Sequence, residues 1–133
     1  MDAIISEATK TTPKIVIDPA NNVFTISGES RPENASKFYT PIISLLNEYR
    51  SELVFKKSAG PSKKLSFDFN LEYFNSTSAK FILDIFFQLD KFHKEGFETE
   101  IVWHYDKRDT DMQESGEEFS KYVPELPIKY MEF

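Results

Sequence analysis

A strand with strict two-residue periodicity runs into a long apolar helix, and this pairing constrains the fold more than any other feature of the sequence. Apolar and polar side chains alternate from Leu65 to Tyr73, which is the pattern of a strand with one buried face. The polar turn Asn75–Ser78 follows. A helix is predicted from this turn to about Glu95, with Gly96 at its C-terminal stop.

The rest of the chain continues this alternation of strands and helices. Further strands are predicted at Lys14–Asp18, Val23–Ser27, Glu98–Asp106 and Pro127–Met131, and further helices at Pro32–Arg50 and Thr110–Tyr122. The order β-β-α-β-α-β-α-β, which starts with a hairpin, predicts a single α/β domain over residues 13–133, with a mixed sheet and packed helices. Residues 1–12 are polar and lack periodicity, so we expect a flexible N-terminal segment.

Two segments leave local structure open. Pro41 removes a helical hydrogen bond, so the first long helix either begins near Thr40 or is kinked at the proline. Ser30 or Asn34 could cap this helix. The segment from Lys56 to Lys64 combines glycine, proline, serine and lysine, which predicts a solvated loop.

Composition excludes several classes of function. The 133 residues carry 22 acidic and 16 basic side chains, and the resulting net charge of −6 argues against a nucleic-acid partner. The absence of cysteine removes disulfides and thiolate chemistry, and it fits a reducing cytoplasm. No run approaches the ~18 apolar residues of a membrane span, so we expect no membrane partner.

Motifs of catalysis and cofactor binding are missing from the sequence. It contains no glycine-rich phosphate loop and no nucleophile elbow. His93 and His104 have no spacing that indicates a triad, which favours packing or surface roles for both. We therefore expect a protein that is not an enzyme and that binds no cofactor or metal.

The alternative is a small enzyme or divalent-metal domain that uses the acidic region Asp106–Glu118. Carboxylates at a helix start also have a structural explanation, because free N–H groups and the helix dipole favour them there. Their spacing departs from a calcium-binding EF-hand loop, so the structural explanation is favoured.

The helix after the turn is apolar over an unusually wide arc. Phe81, Ile85 and Phe92 flank the central apolar stripe on one side, and Leu83 and Phe87 flank it on the other. Such a helix either packs against both the sheet and another helix, or it presents one flank to another protein.

The hydroxyl run Ser76–Ser78 at the start of this helix has two explanations. One hydroxyl caps the helix while the others solvate the turn, or the run is a phosphorylation site. A phosphate at this position would be favoured by the free backbone N–H groups and the helix dipole.

At this run the sequence resembles the SiaC family of bacterial regulatory phosphoproteins, and the resemblance extends from Thr12 to the end. The motifs that carry it are Thr12-Pro13, Gly28-Glu29-Ser30, Pro32-Glu33-Asn34, Tyr73–Lys80, Trp103–Asp106 and Gly116–Phe119. The resemblance implies a fold similar to STAS domains and anti-sigma-factor antagonists. In that group the switch hydroxyl starts the helix after a central strand.

The resemblance also implies a partner-switching function in c-di-GMP signalling. A dedicated protein kinase phosphorylates such a protein, and a PP2C-type phosphatase reverses the modification. The unmodified form binds and activates a diguanylate cyclase or other signalling protein. The implied acceptor is the first hydroxyl after Asn75, which is Ser76. The family run is Thr followed by two Ser, so Thr77 is the next candidate. We expect the partner to contact Asn75, Ser78, Lys80, Phe81 and Phe92.

Overall fold

The structure is a computed structural model that describes residues 2–56 and 64–133, and these residues form six strands and three helices. The strands are β1 (Ile4–Ser6), β2 (Lys14–Asp18), β3 (Val23–Ser30), β4 (Leu65–Phe74), β5 (Thr99–Tyr105) and β6 (Ile128–Glu132). The helices are α1 (Ala35–Lys56), α2 (Ser76–Lys94) and α3 (Thr110–Ser120). The predicted order agrees with this arrangement except for β1, which lies in the segment expected to be flexible. The loop predicted from Lys56 to Lys64 falls on residues 57–63, outside the described residues.

The strands form one mixed sheet, as predicted, and their order in the sheet follows their order in the sequence. β1, β2 and β3 are antiparallel neighbours, whereas β3, β4, β5 and β6 are parallel. Right-handed crossovers between sequential parallel strands place every connecting helix on the same face of the sheet. Among the described residues, no element covers the opposite face.

The core fills the space between the sheet and the helices. Aromatic contacts join one face of the sheet to all three helices, at Phe24–Tyr49 for α1, Phe69–Phe86 for α2 and Trp103–Phe119 for α3. Fully buried strand residues on this face include Ile15, Ile17, Ile26, Leu65, Phe67 and Ile101. Burial of this area supplies the main driving force for folding.

A bulge at the end of β4 changes which side chains face the core. Gly28 pairs with Leu71 but Glu29 pairs with Tyr73, so one residue of β4 is left over. Phe74 consequently turns toward the helices, with its ring 5.8 Å from that of Phe119. Tyr73 is 47% exposed, and its expected place in the buried stripe is therefore wrong.

Helix α1 begins at Ala35, earlier than the start near Thr40 that the position of Pro41 suggested. The Asn34 side chain accepts a hydrogen bond from the Lys37 N–H at 3.1 Å, so Asn34 is the cap and the start near Thr40 is wrong. Pro41 lies inside the helix at an exposed position. Ser30, the other candidate cap, is buried elsewhere.

Helix α3 approaches the sheet closely at a glycine. The indole Nε1 of Trp103 donates a hydrogen bond to the Met112 carbonyl at 2.9 Å. A Cβ added at Gly116 would lie 2.6 Å from the same indole ring. Trp103 is buried, so the ring has little freedom to move away.

We expect Gly116→Ala to destabilise the protein, although alanine usually stabilises an exposed helix position by ~1 kcal/mol relative to glycine. The overlap with the indole should lower the free energy of unfolding by about 1–3 kcal/mol in urea denaturation. Glu117→Ala on the exposed side of the same helix is the control and should change it by less than ~0.5 kcal/mol. A Gly116→Ala variant as stable as the parent would contradict the packing described here.

Candidate functional site

The hydroxyl turn lies at the carboxyl end of β4, the edge at which open α/β sheets commonly bind ligands. The Asn75 N–H donates to the Ser30 carbonyl at 3.1 Å, which ties the turn to β3. The Asn75 side chain accepts from the Ser78 N–H at 2.9 Å and thereby caps α2. The expectation that one of the three hydroxyls provides the cap is therefore wrong.

The three hydroxyls of the turn have different environments. Ser76 is exposed, and its hydroxyl has no hydrogen-bond partner within residues 2–56 and 64–133. Thr77 is also exposed, but its hydroxyl donates to the Asn75 side chain at 3.0 Å. Ser78 is completely buried. A modifying enzyme can thus reach Ser76 without breaking a contact within the described structure.

Ser78 belongs to a buried chain of hydroxyls that joins three elements. The Ser30 hydroxyl donates to the Ser78 oxygen at 2.9 Å, and the Ser78 hydroxyl donates to the Ser30 carbonyl at 3.2 Å. Because the Ser30 proton is directed to Ser78, the Tyr39 phenol is the donor in its hydrogen bond to the Ser30 hydroxyl oxygen. Burial raises the pKa of Tyr39, so the phenol stays protonated and able to donate. The hydroxyl protons of Ser30, Tyr39 and Ser78 therefore each have an acceptor.

Lys80 and Phe81 form the surface one turn further along α2. The Phe81 ring is half-buried and stacks on Tyr39 with centroids 5.9 Å apart. The Lys80 ammonium lies 4.5 Å above the Phe81 ring and 3.5 Å from the Asp84 carboxylate. Because Lys80 is four residues after Ser76, its charge lies on the same side of the helix as the exposed hydroxyl.

Burial corrects two of the predicted partner contacts. Phe92 is completely buried, and its ring packs 5.8 Å from that of Tyr49 in α1. Ser78 is enclosed by the hydroxyl chain. Neither side chain is accessible to a partner, because α1 covers Phe92 and the hydroxyl chain encloses Ser78. Asn75, Lys80 and Phe81 remain accessible at least in part.

The acidic region after β5 has local partners for its carboxylates. Arg108 donates to both oxygens of Asp106, and this pairing holds the pKa of that carboxyl well below its usual range. Asp109 caps α3 by accepting from the Met112 N–H at 3.0 Å. Within the described residues, no group of three or more histidine or carboxylate side chains could hold a metal ion.

The sequence did not identify Ser30 and Tyr39 as part of the site. Tyr39 lies three and seven residues before Ile42 and Leu46, so helical periodicity could have assigned it to the buried face. Nothing in the sequence indicates that Ser30, 48 residues before Ser78, contacts it. Their contact arises from the parallel pairing of β3 with β4.

None of the described helices combines the length and apolar character required to cross a membrane.

Comparisons with known proteins agree with the resemblance found in the sequence. The family described as SiaC family regulatory phosphoprotein matches residues 6–133. An uncharacterised protein of Pseudomonas aeruginosa (strain UCBPP-PA14) is 29% identical over 111 residues, which cover 84% of this chain and 82% of that protein.

Solved structures of SiaC proteins are also similar to this chain. The crystal structure of apo-SiaC from Pseudomonas aeruginosa matches with a TM-score of 0.85 at 26% identity, covering 98% of this chain and 99% of that one. A chain in the crystal structure of the diguanylate cyclase SiaD in complex with its activator SiaC, from the same organism, matches with a TM-score of 0.85 at 25% identity and the same coverage. The chain described here therefore belongs to the SiaC family of regulatory phosphoproteins.

Proposed function

We propose that this protein is a non-enzymatic switch controlled by phosphorylation. The unphosphorylated form binds and regulates a signalling partner such as a diguanylate cyclase, and phosphate on Ser76 releases that partner. Family membership supports a regulatory role in place of catalysis. The solved complex in which SiaC is named as the activator of the diguanylate cyclase SiaD supports the partner class.

The observation that carries the proposal is the difference among the three hydroxyls of the turn. Ser76 is exposed and unbonded within the described structure, whereas Thr77 bonds the cap residue and Ser78 is buried. A kinase must bring the acceptor hydroxyl into its own active site, which favours Ser76. Thr77 is the second candidate, because its single bond to Asn75 is exposed and weak.

The free protein can accommodate phosphate at this position. The modification adds a charge of about −1.5 to −2 and three acceptor oxygens. Free N–H groups and the dipole of α2 favour that charge, the first turn of α2 contains no acidic residue, and Lys80 lies one turn away. A partner that covers the same spot would have to remove the hydration of the phosphate. Phosphorylation therefore weakens the complex and leaves the fold intact.

The switch needs two further proteins to operate as a cycle. We propose that a cognate protein kinase modifies the Asn75–Ser78 turn and that a PP2C-type phosphatase resets it. The cycle operates in the cytoplasm, where it controls c-di-GMP signalling.

We expect the charge at Ser76 to control partner recovery. Ser76→Ala should retain a partner from native lysate constitutively, whereas Ser76→Asp should retain less of it, although aspartate carries only part of the phosphate charge. Quantitative mass spectrometry of the captured proteins measures the difference. Thr77→Asp is the matched control and should have the smaller effect. Equal recovery of every protein by the parent, Ser76→Ala and Ser76→Asp would refute a switch at this residue.

We expect Ser78 to matter for stability and Ser76 to be neutral. Ser78→Ala leaves the buried Ser30 hydroxyl without its acceptor and should lower the free energy of unfolding by about 1–3 kcal/mol. Ser76→Ala removes no contact within the described structure and should change it by less than ~0.5 kcal/mol. Urea denaturation compares the two. If both substitutions had the same effect, the buried hydroxyl chain would not support the turn as described.

A further inference from the structure

An apolar groove separates α2 from α3 and begins beside the hydroxyl turn. Its volume is about 450 Å³. Phe74, Ala79 and Phe119 supply its apolar surface. We call this feature the α2–α3 groove.

Two exposed aromatic rings extend this surface along the helices. Phe87 of α2 is 37% exposed and Tyr122, just after α3, is 61% exposed. Their rings contact each other edge to face, with centroids 6.4 Å apart. Phe87 is eleven residues after Ser76, so the surface from the switch to this aromatic pair is ~16 Å long, or about three helical turns. This length fits a helix laid along the groove.

The charge of the groove defines the chemistry of its occupant. Asp111, Glu114 and Glu118 line it along α3, and the described residues that line it include no basic side chain. Lys121 pairs with Glu118 at 2.8 Å, but both side chains are exposed and the pair is weak. A partner segment with basic residues along one edge would complement this side, while its apolar face would cover the aromatic surface.

We propose that the α2–α3 groove is the docking site of the signalling partner and that it binds a basic amphipathic helix. This inference rests on the proposed function, since it names the surface through which the switch acts. The sequence-based expectation placed docking on the flank with Phe81 and Phe92, but α1 covers much of that flank. The opposite flank, with Leu83 and Phe87, remains accessible.

The position of Ser76 connects the groove to the switch. Ser76 is the first residue of α2, two residues after Phe74 and three before Ala79, and both of these line the groove. The basic edge of the docked helix faces the α3 carboxylates, so its apolar face meets the start of α2. A phosphate on Ser76 would place a bulky, hydrated and charged group against that apolar face, and this opposes docking.

The first experiment measures affinity for the partner itself, identified as the protein that Ser76→Ala retains and Ser76→Asp loses. Phe87→Ala and Tyr122→Ala should each weaken binding about tenfold or more, as aromatic anchors do. Phe55→Ala is the matched control, because Phe55 is 89% exposed on α1, and it should leave the affinity unchanged. Thermal melting of each variant shows whether the fold is retained.

Charge reversal tests the acidic side of the groove. Glu114→Lys should weaken binding about three- to tenfold at low ionic strength, and the loss should shrink in 0.5 M salt, where charges are screened over ~4 Å. Glu48→Lys on the exposed surface of α1 is the control and should have no effect. Parental affinity in Phe87→Ala, Tyr122→Ala and Glu114→Lys together would overturn the docking site while leaving the Ser76 switch in place.

A second experiment is independent of the partner. A 16-residue helical peptide with leucines on one face and lysines beside them is titrated into the isotope-labelled protein, and backbone NMR shifts are followed. Shifts confined to α2 and α3 around Ala79, Phe87 and Phe119 are expected. The same peptide with glutamates in place of lysines should bind at least about tenfold more weakly. Equal binding of both peptides, or shifts centred on the uncovered sheet face, would overturn the inference even if no Ser76-dependent partner were found.

Discussion

Trp103 joins the sheet to α2 and α3, the two helices that border the proposed docking groove. Its ring lies 5.5 Å from Phe69 in β4, 5.9 Å from Phe86 in α2 and 5.8 Å from Phe119 in α3. Its N–H also bonds the Met112 carbonyl of α3, so both dispersion and a hydrogen bond fix that helix. Because α3 forms one wall of the α2–α3 groove, the shape of the groove depends on how closely this helix approaches the indole. Gly116 permits that approach.

The start of α2 is held by a second set of contacts, which are polar. Asn75 caps the helix and bonds β3, while the buried hydroxyls of Ser30, Tyr39 and Ser78 connect β3, α1 and α2. These groups are satisfied by one another, which makes the turn a rigid support. Ser76 is the first residue of α2, but its hydroxyl makes no hydrogen bond to this network within the described residues. The proposed modification at Ser76 would therefore change the surface that a partner meets, with little change in the structure beneath it.

Among residues 2–56 and 64–133, helices cover one face of the sheet and no element covers the other, although parallel strands are usually covered on both faces. Polar side chains on the other face lower the free-energy cost of its exposure to water. On the uncovered face His104 contacts Asp68 at 3.2 Å, and the Ser66 hydroxyl donates to Glu100 at 2.8 Å. The pKa of Glu100 is lowered by its bonds to Ser66 and Lys64, which outweigh the opposing effect of burial. Such pairs keep the face hydrated, and the apolar groove proposed for docking lies on the helical side.

The sequence by itself determined the α/β class, the order of the main elements and the position of the hydroxyl run at the start of α2, because these depend on local periodicity and capping chemistry. The family motifs supported the proposal of a switch at this run. Tertiary structure decided what the local pattern left open. The bulge after Leu71 turned Phe74 inward and Tyr73 outward, and α1 buried Phe92, because strand register and helix placement arise from long-range packing. The same packing separated three adjacent hydroxyls into an exposed Ser76, a cap-bonded Thr77 and a buried Ser78. No periodicity distinguishes them, since their partners lie in elements distant along the chain.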